Sequence, residues 1–321
     1  MDFLHTKYMT VWFNSTWKMI TDVVDMSCSA SSSRLLHNAQ VIGSGGFGLV
    51  LRVDDKAVKL LHTRTSCSEA HAEFLRLHRM DAALEQARKL RDLDPDLQKA
   101  LGQIKPVKAL HYWSEPFEYQ DEHFTCGLVT SFAVGARTSD LLKLDPAITE
   151  EYASFFPRIL VMPSSQNDRT RLDVRDHEED LSRRNPPRYF VMGREAVNFY
   201  KGTFDFSTDF PCAMGVFLAV ATFYAKLVLV DVEILLGDPF DKTINIMDLG
   251  MCHDIVWGDA NRIAGQICDI SGPFYTKAVF PSPDQESAYA VFTDAFKRMG
   301  VALGRESKFM DEVILIMSDI L

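Results

Sequence analysis

The chain has 321 residues, 47% of them hydrophobic and 24% charged. That is enough apolar material for one large or two modest globular domains, and it excludes disorder as the dominant state. A formal charge of −10 offers no net basic field to a phosphate backbone, which argues against nucleic acid as the main partner.

Residues 1–26 carry an aromatic-rich helical pattern (Phe3, Leu4, Tyr8, Val11, Trp12, Ile20, Val23, Val24). The Ser-rich run Ser27 to Ser33 after it reads as a flexible connector, so 1–34 forms an extension plus linker. The extension is expected to dock on the main body, with a protein partner through residues 1–33 as the alternative. His5, Lys7, Asn14 and Ser15 interrupt the apolar residues that a signal peptide would need. The longest apolar stretch, Cys212 to Ala225, is too short to span a bilayer and predicts a buried helix. The six cysteines (Cys28, Cys67, Cys126, Cys212, Cys252, Cys268) stand singly, without C-x-x-C pairs or histidines at ligand spacing. Neither a disulfide framework nor a zinc site is expected. The reading is a cytoplasmic protein in a reducing compartment, with no membrane partner.

Strand-like runs follow: Gln40-Val41-Ile42 before a Gly-rich turn, Leu49 to Val53 after it, and Ala57 to Leu61 beyond Asp54-Asp55, a three-strand meander. A helix is predicted from near Ser68 through Leu90, broken by Asp92 to Asp96 with Pro95, then a shorter one over Asp96 to Leu101. Strands are predicted at Val107 to Trp113 and Phe124 to Phe132. The polar stretch 164–188 mixes both charge signs and reads as a solvated loop, with a phosphate-binding Arg cluster as the minor alternative. Two strands, Ile234 to Leu236 and Ile244 to Met247, flank the turn Gly237-Asp238-Pro239. Helices near Asp284 to Met299 and Ser307 to Leu321 end the chain.

The stretch richest in chemistry is Gly43-Ser44-Gly45-Gly46-Phe47-Gly48-Leu49-Val50, a G-x-G-x-x-G-x-V pattern between two strands. Glycines in such a turn let backbone N–H groups approach phosphate oxygens without Cβ interference, and a plain β-hairpin is the competing reading. Eleven residues after Gly48 comes Lys59 in Ala57-Val58-Lys59, and fourteen further on Glu73 sits in a helix. The order and spacing resemble the Gly-rich loop, the V-A-I-K strand and the Lys-pairing Glu of the protein kinases, with Glu69 as fallback partner. Downstream, Asp248-Leu249-Gly250 follows a strand, as the metal-holding D-F-G motif does in that family.

The catalytic loop departs from the pattern H-R-D-x-x-x-x-N. Aligned without a gap, Val228 takes the Asp position and Glu233 the Asn position, leaving no base; with a shortened loop, Asp231 becomes the base and the Asn is lost. The segment Asp231-Val232-Glu233-Ile234-Leu235-Leu236-Gly237, with Ile246-Met247-Asp248, resembles the D-V-E-F-V-L-G … L-L-D-F signature of a mainly fungal family, domain of unknown function 3669, often labelled "zinc finger protein". Arg184-Asn185-Pro186-Pro187 and the aromatic–proline stretch Pro273 to Pro283 are similar to that family's R-N-F-P and Y-F-P-R-P segments. The Asp that the family places three residues before D-V-E is Val228 here, the Arg of Y-F-P-R-P is missing, and no Cys/His spacing supports the zinc-finger label.

The resemblances imply an α+β, protein-kinase-like fold of two lobes, 35–131 and a shortened helical 132–321, with a hinge near Thr130 to Gly135. ATP and Mg would lie in an interlobe cleft. Gly43, Ser44, Gly45, Gly46, Phe47, Gly48, Lys59 and Glu73 would hold the nucleotide, Asp248 and Glu233 the metal, and Asp231 would be the catalytic base. The 71 residues after Gly250 are fewer than a protein kinase uses there, and resemble the aminoglycoside and choline kinase type. A small-molecule or protein acceptor is expected if transfer occurs. The alternatives are a pseudokinase that binds without transferring, and an accessory protein of a fungal biosynthetic pathway.

Overall fold

The meander begins with Gln40–Gly45 (β1) and Gly48–Val53 (β2), antiparallel and closing on the pair Gly45↔Gly48. The computed structural model describes residues 39–45, 48–133, 158–160, 189–191, 208–230, 232–236, 243–269, 280–281, 283 and 286–321. The expected N-terminal helix and linker, the 164–188 loop, Val134 and Gly135 of the hinge, and most of the proline segments lie outside them. At Gly48 an added Cβ would stand 1.8 Å from the Leu60 carbonyl oxygen, so the close passage of β2 over the next strand itself demands glycine. Asp54, at φ 54°, makes the turn into Lys56–Leu61 (β3), a left-handed position that aspartate tolerates.

The chain folds as two units. The first comprises the described residues up to Ser68 together with Leu110–Phe132; the second comprises Glu69–Ala109 and the described residues from Ala133 onward. In the first, a five-stranded sheet runs β1-β2-β3-β8-β5, where β5 is Ala109–Trp113 and β8 is Cys126–Ser131. Alternation along β2, β3 and β8 turns Leu51, Val58, Leu60 and Val129 to one face, where they pack with Tyr119 and Phe124. Phe117–Tyr119 (β6) and Glu122–Phe124 (β7) form a two-residue hairpin, with Gln120 and Asp121 both at positive φ, the turn geometry that matches strand twist.

Arg64–Ala87 (α1) links the units. It starts one turn earlier than predicted because Thr63 caps it, its Oγ1 accepting from the Ser66 N–H at 3.1 Å. In its first turn Cys67 is joined to Cys126 of β8 by a disulfide, within the first unit. This corrects the expectation of unpaired cysteines: the partners are 59 residues apart, and only the sheet brings them together.

In the second unit Pro95–Gln103 (α2) carries Pro at its start, where a missing N–H costs nothing. Ile104–Pro106 (β4) follows and pairs in parallel with Ile244–Met247 (β13), which pairs antiparallel with Glu233–Leu236 (β12). Arg88 fixes this corner by donating to the carbonyls of Leu101 and Ile104. Asp209–Ala219 (α3) is the predicted buried helix, continued by a π-helical turn, Val220–Tyr224. Gly215 lies so near Glu286–Ala302 (α5) that a Cβ would reach 2.2 Å from the Phe292 carbonyl. The core joins these helices to Ala260–Ile267 (α4) and Ser307–Ile320 (α6) through Phe217, Phe292, Phe296 and Met317, all fully buried. Two short pairs complete the described strands: Arg158–Leu160 (β9) with Tyr189–Val191 (β10), and Leu227–Val228 (β11) with His253–Asp254 (β14). The chain is thus α+β, and among the described residues no helix is long and apolar enough to cross a membrane.

Candidate functional site

In the first unit, Gly43, Ser44 and Gly45 lie at the end of β1 and Gly48 opens β2, while Gly46 and Phe47 at the tip fall outside the described residues. A register shift between Val41 and Gly43 marks a bulge in β1, of the kind that re-aims a strand end. Lys59 occupies the middle of β3, paired with Val50 on one side and Leu128 on the other. Its neighbours Val58 and Leu60 face the small core, so Lys59 projects from the opposite face, half-buried.

In the second unit the buried stripe of α1 runs Ala70, Leu77, Met80, Leu84 and Ala87, at helical spacing. Glu73 falls in this stripe and is only 5% exposed; Glu69 is exposed. A carboxylate kept in an apolar stripe needs partners there. It lies against the turn Asp248-Leu249-Gly250: a Cβ added at Gly250 would sit 3.6 Å from Glu73 Oε2 and 3.5 Å from Asp248 Oδ1. Glu73 and the Asp-Leu-Gly turn, found separately in the sequence, therefore meet in the fold. Asp248 is half-buried at φ 56°, a left-handed conformation that costs a non-glycine residue about 1–2 kcal/mol unless local contacts compensate.

Two arginines that the sequence reading passed over complete the arrangement. Arg76, one turn after Glu73, donates through Nη1 to the carbonyls of Gly250 at 2.5 Å and Leu249 at 3.4 Å. Arg79, one turn further, donates through Nη2 to Asp254 Oδ1 at 2.5 Å. Residues 73, 76 and 79 recur every third position, so one edge of α1 follows the chain from 248 to 254. The available signal was this i, i+3, i+6 run of ionic residues beside an apolar stripe.

Around the shortened loop, Glu233 begins β12 opposite Met247, so its backbone lies next to that of the residue preceding Asp248. The Asp231 position is outside the described residues. Val228 is paired with His253 and is 2% exposed in the core. Cys252, just beyond the turn, directs its thiol to the Val230 carbonyl at 3.6 Å, and burial pushes its pKa up to about 12.

Among the described residues no group of three or more His, Cys, Asp or Glu side chains forms a metal cage. Mg²⁺ does not require one, since it is commonly held by one or two carboxylates together with substrate phosphates. The hard oxygen donor at Asp248 fits that mode. No protein-family model matches the chain, and no curated protein matches it.

Proposed function

We propose that this chain is a kinase-like, nucleotide-binding protein that takes ATP with Mg²⁺. The Gly-rich hairpin, Lys59 and Asp248 are the residues proposed to serve this binding. The observation that carries the reading is the meeting of Glu73 with the Asp248-Leu249-Gly250 turn, 3.6 Å and 3.5 Å from a common point at Gly250. These are two of the motifs read independently from the sequence. The placement of Lys59 on β3, the strand directly after the glycine hairpin, supports it as well, because the kinase Lys occupies the third strand.

In this reading the glycines of β1 and β2 would admit the phosphates to the backbone and Lys59 would place a cation against the α- and β-phosphates, with Glu73 in the role that the kinase resemblance gives it. Mg²⁺, when bound, would supply neutralisation of the phosphate charge. Asp248 would hold it, with Glu233 as the second carboxylate. Asp231 is the base that would accept the proton of an acceptor hydroxyl, on a small molecule or a protein.

A second reading, a pseudokinase that binds nucleotide and regulates or docks without transferring phosphate, is favoured by Val228. That residue stands at the base position of the ungapped loop and is buried in the core. The resemblance of residues 184–300 to domain of unknown function 3669 remains part of the proposal and carries no activity, leaving an accessory role in a fungal biosynthetic pathway as the third. A cytoplasmic location would keep Cys67 and Cys126 as thiols. Thiol labelling of protein quenched in its own cells therefore tests location and bond together.

The test of binding is thermal unfolding with ATP, with and without Mg²⁺, for wild type, Lys59→Ala and Asp248→Asn. At a hundredfold excess over Kd, binding stabilises by about 2.7 kcal/mol. Wild type should gain several degrees with ATP–Mg²⁺, Lys59→Ala less, and Asp248→Asn should lose the Mg²⁺-dependent part. Slow ATP turnover abolished in Asp231→Asn supports the enzyme; binding without turnover supports the pseudokinase.

A further inference from the structure

Arg76 is not among the residues the kinase-like motifs identify, yet it makes the hydrogen bonds described above to the carbonyls of both Leu249 and Gly250. These carbonyls follow immediately on Asp248, whose backbone stands at φ 56°. Aspartate tolerates that conformation, as at Asp54, but a free tripeptide is not confined to it and leaves it readily for the right-handed or extended regions. Both bonds leave one nitrogen, Nη1, whose two N–H bonds lie in the guanidinium plane in fixed directions, whereas the donors of an ammonium rotate freely on a flexible stem and hold two neighbouring carbonyls less firmly. Arg76 is itself held on α1, where Ala70, Leu77 and Met80 are buried and Arg79 pins the far end of the segment through Asp254.

We infer that Arg76 is a positioning residue for the cation carboxylate: by fixing the Leu249 and Gly250 carbonyls it sets the backbone of Asp248 and thereby the direction of its side chain. The inference rests on the nucleotide–Mg²⁺ reading and goes beyond it by naming the group that prepares the metal ligand. It also fixes the sign of an experiment. If Arg76 acted only as a nearby positive charge, its removal would tighten cation binding, because a like charge would be gone. If it positions Asp248, removal weakens cation binding despite the lost repulsion.

The probe is Mn²⁺, followed by its electron paramagnetic resonance signal on the full-length, ATP-saturated protein. Wild type, Arg76→Met, Arg76→Lys and Asp248→Asn are compared, with Lys297→Met, which removes a positive charge from the ion pair with Asp311, as the charge control. The inference predicts Mn²⁺ affinity at least tenfold weaker in Arg76→Met, intermediate in Arg76→Lys, unchanged in Lys297→Met and lost in Asp248→Asn. Unchanged or tighter Mn²⁺ binding in folded Arg76→Met overturns it, as does an equal loss in Lys297→Met. Should Arg76→Met fail to fold, Arg76→Lys decides: wild-type affinity there overturns the inference, and several-fold weaker affinity upholds it. Absence of any ATP-dependent Mn²⁺ site in wild type would instead refute the nucleotide reading, a distinguishable result.

Discussion

Arg76 Nη1 lies 2.5 Å from the main-chain carbonyl oxygen of Gly250, 174 residues further along the chain. One helix edge, Glu73 to Arg79, therefore holds the turn carrying Asp248 and the strand residue Asp254. Gly250 itself needs no glycine for its backbone, and a Cβ there meets Asp248 and Glu73 only at ordinary contact distances. Gly250→Ala is expected to change stability by no more than about 1 kcal/mol, measured by urea unfolding.

Gly48 behaves in the opposite way. Its Cβ would penetrate the Leu60 carbonyl at 1.8 Å, and that backbone atom cannot step aside without parting β2 from β3. Gly48→Ala should cost about 1–3 kcal/mol in the absence of any ligand. A ligand-free melting temperature equal to wild type would show that the glycine is not demanded by the sheet.

The disulfide closes a loop with a sequence separation of 59. Limiting the freedom of an unfolded loop of that length is worth about 4 kcal/mol in the chain-entropy picture. Cys67→Ala and Cys126→Ala should each lower the urea midpoint by a corresponding amount, and the double variant should cost little more than either single one. Equal midpoints for wild type with and without reductant would contradict the bond's role.

The remaining described cysteines are shielded. Burial pushes the thiols of Cys212 up to about 11 and of Cys252 and Cys268 up to about 12, so the nucleophilic thiolate is scarce at pH 8. Mass-spectrometric mapping after maleimide treatment of the native protein should find these three unmodified, and all three modified after denaturation.

Arg298 binds three carboxylates, Asp94, Asp96 and Asp294, tying α5 to the start of α2. Its hydrogen bonds hold the Asp96 carboxyl below its ordinary 3.8. A depressed folded pKa means that the unfolded chain binds more protons as pH falls, so this contribution is complete above about pH 4 and is lost on further acidification. The groups are partly exposed, which limits the network to about 1 kcal/mol. Arg298→Met should be less stable than wild type at pH 6, and the gap should narrow from pH 4 to pH 2.

Much of the fold was legible because local chemistry and tertiary position agree. Glycines and Asp54 punctuate the β1-β2-β3 meander, Pro95 starts α2, and the apolar run from Cys212 fills the centre of the second unit. The α+β class implied by the resemblances agrees with those elements. The β6–β7 hairpin went unread because Gln120-Asp121 lacks the Asn-Gly signature of its turn. β4 was hidden because Ile104 continues the apolar pattern of α2, and α4 is only two turns long. At the candidate site, Glu73 was legible as an acid in a helical stripe and Asp248 as an acid after a strand. Arg76 was not, because an arginine on an amphipathic helix looks solvated until the turn that it holds is in place. Cys67 and Cys126 share no local pattern; only β8 beside the first turn of α1 makes them partners.

The account turns on nucleotide binding that requires both a cation and Asp248, and calorimetric titration of ATP into the full-length protein measures it most directly. The account predicts saturable binding in Mg²⁺ that weakens at least tenfold in EDTA, while Asp248→Asn binds ATP equally weakly in Mg²⁺ and in EDTA. No heat of binding to folded wild-type protein in Mg²⁺, or an Asp248→Asn titration indistinguishable from wild type, would contradict it.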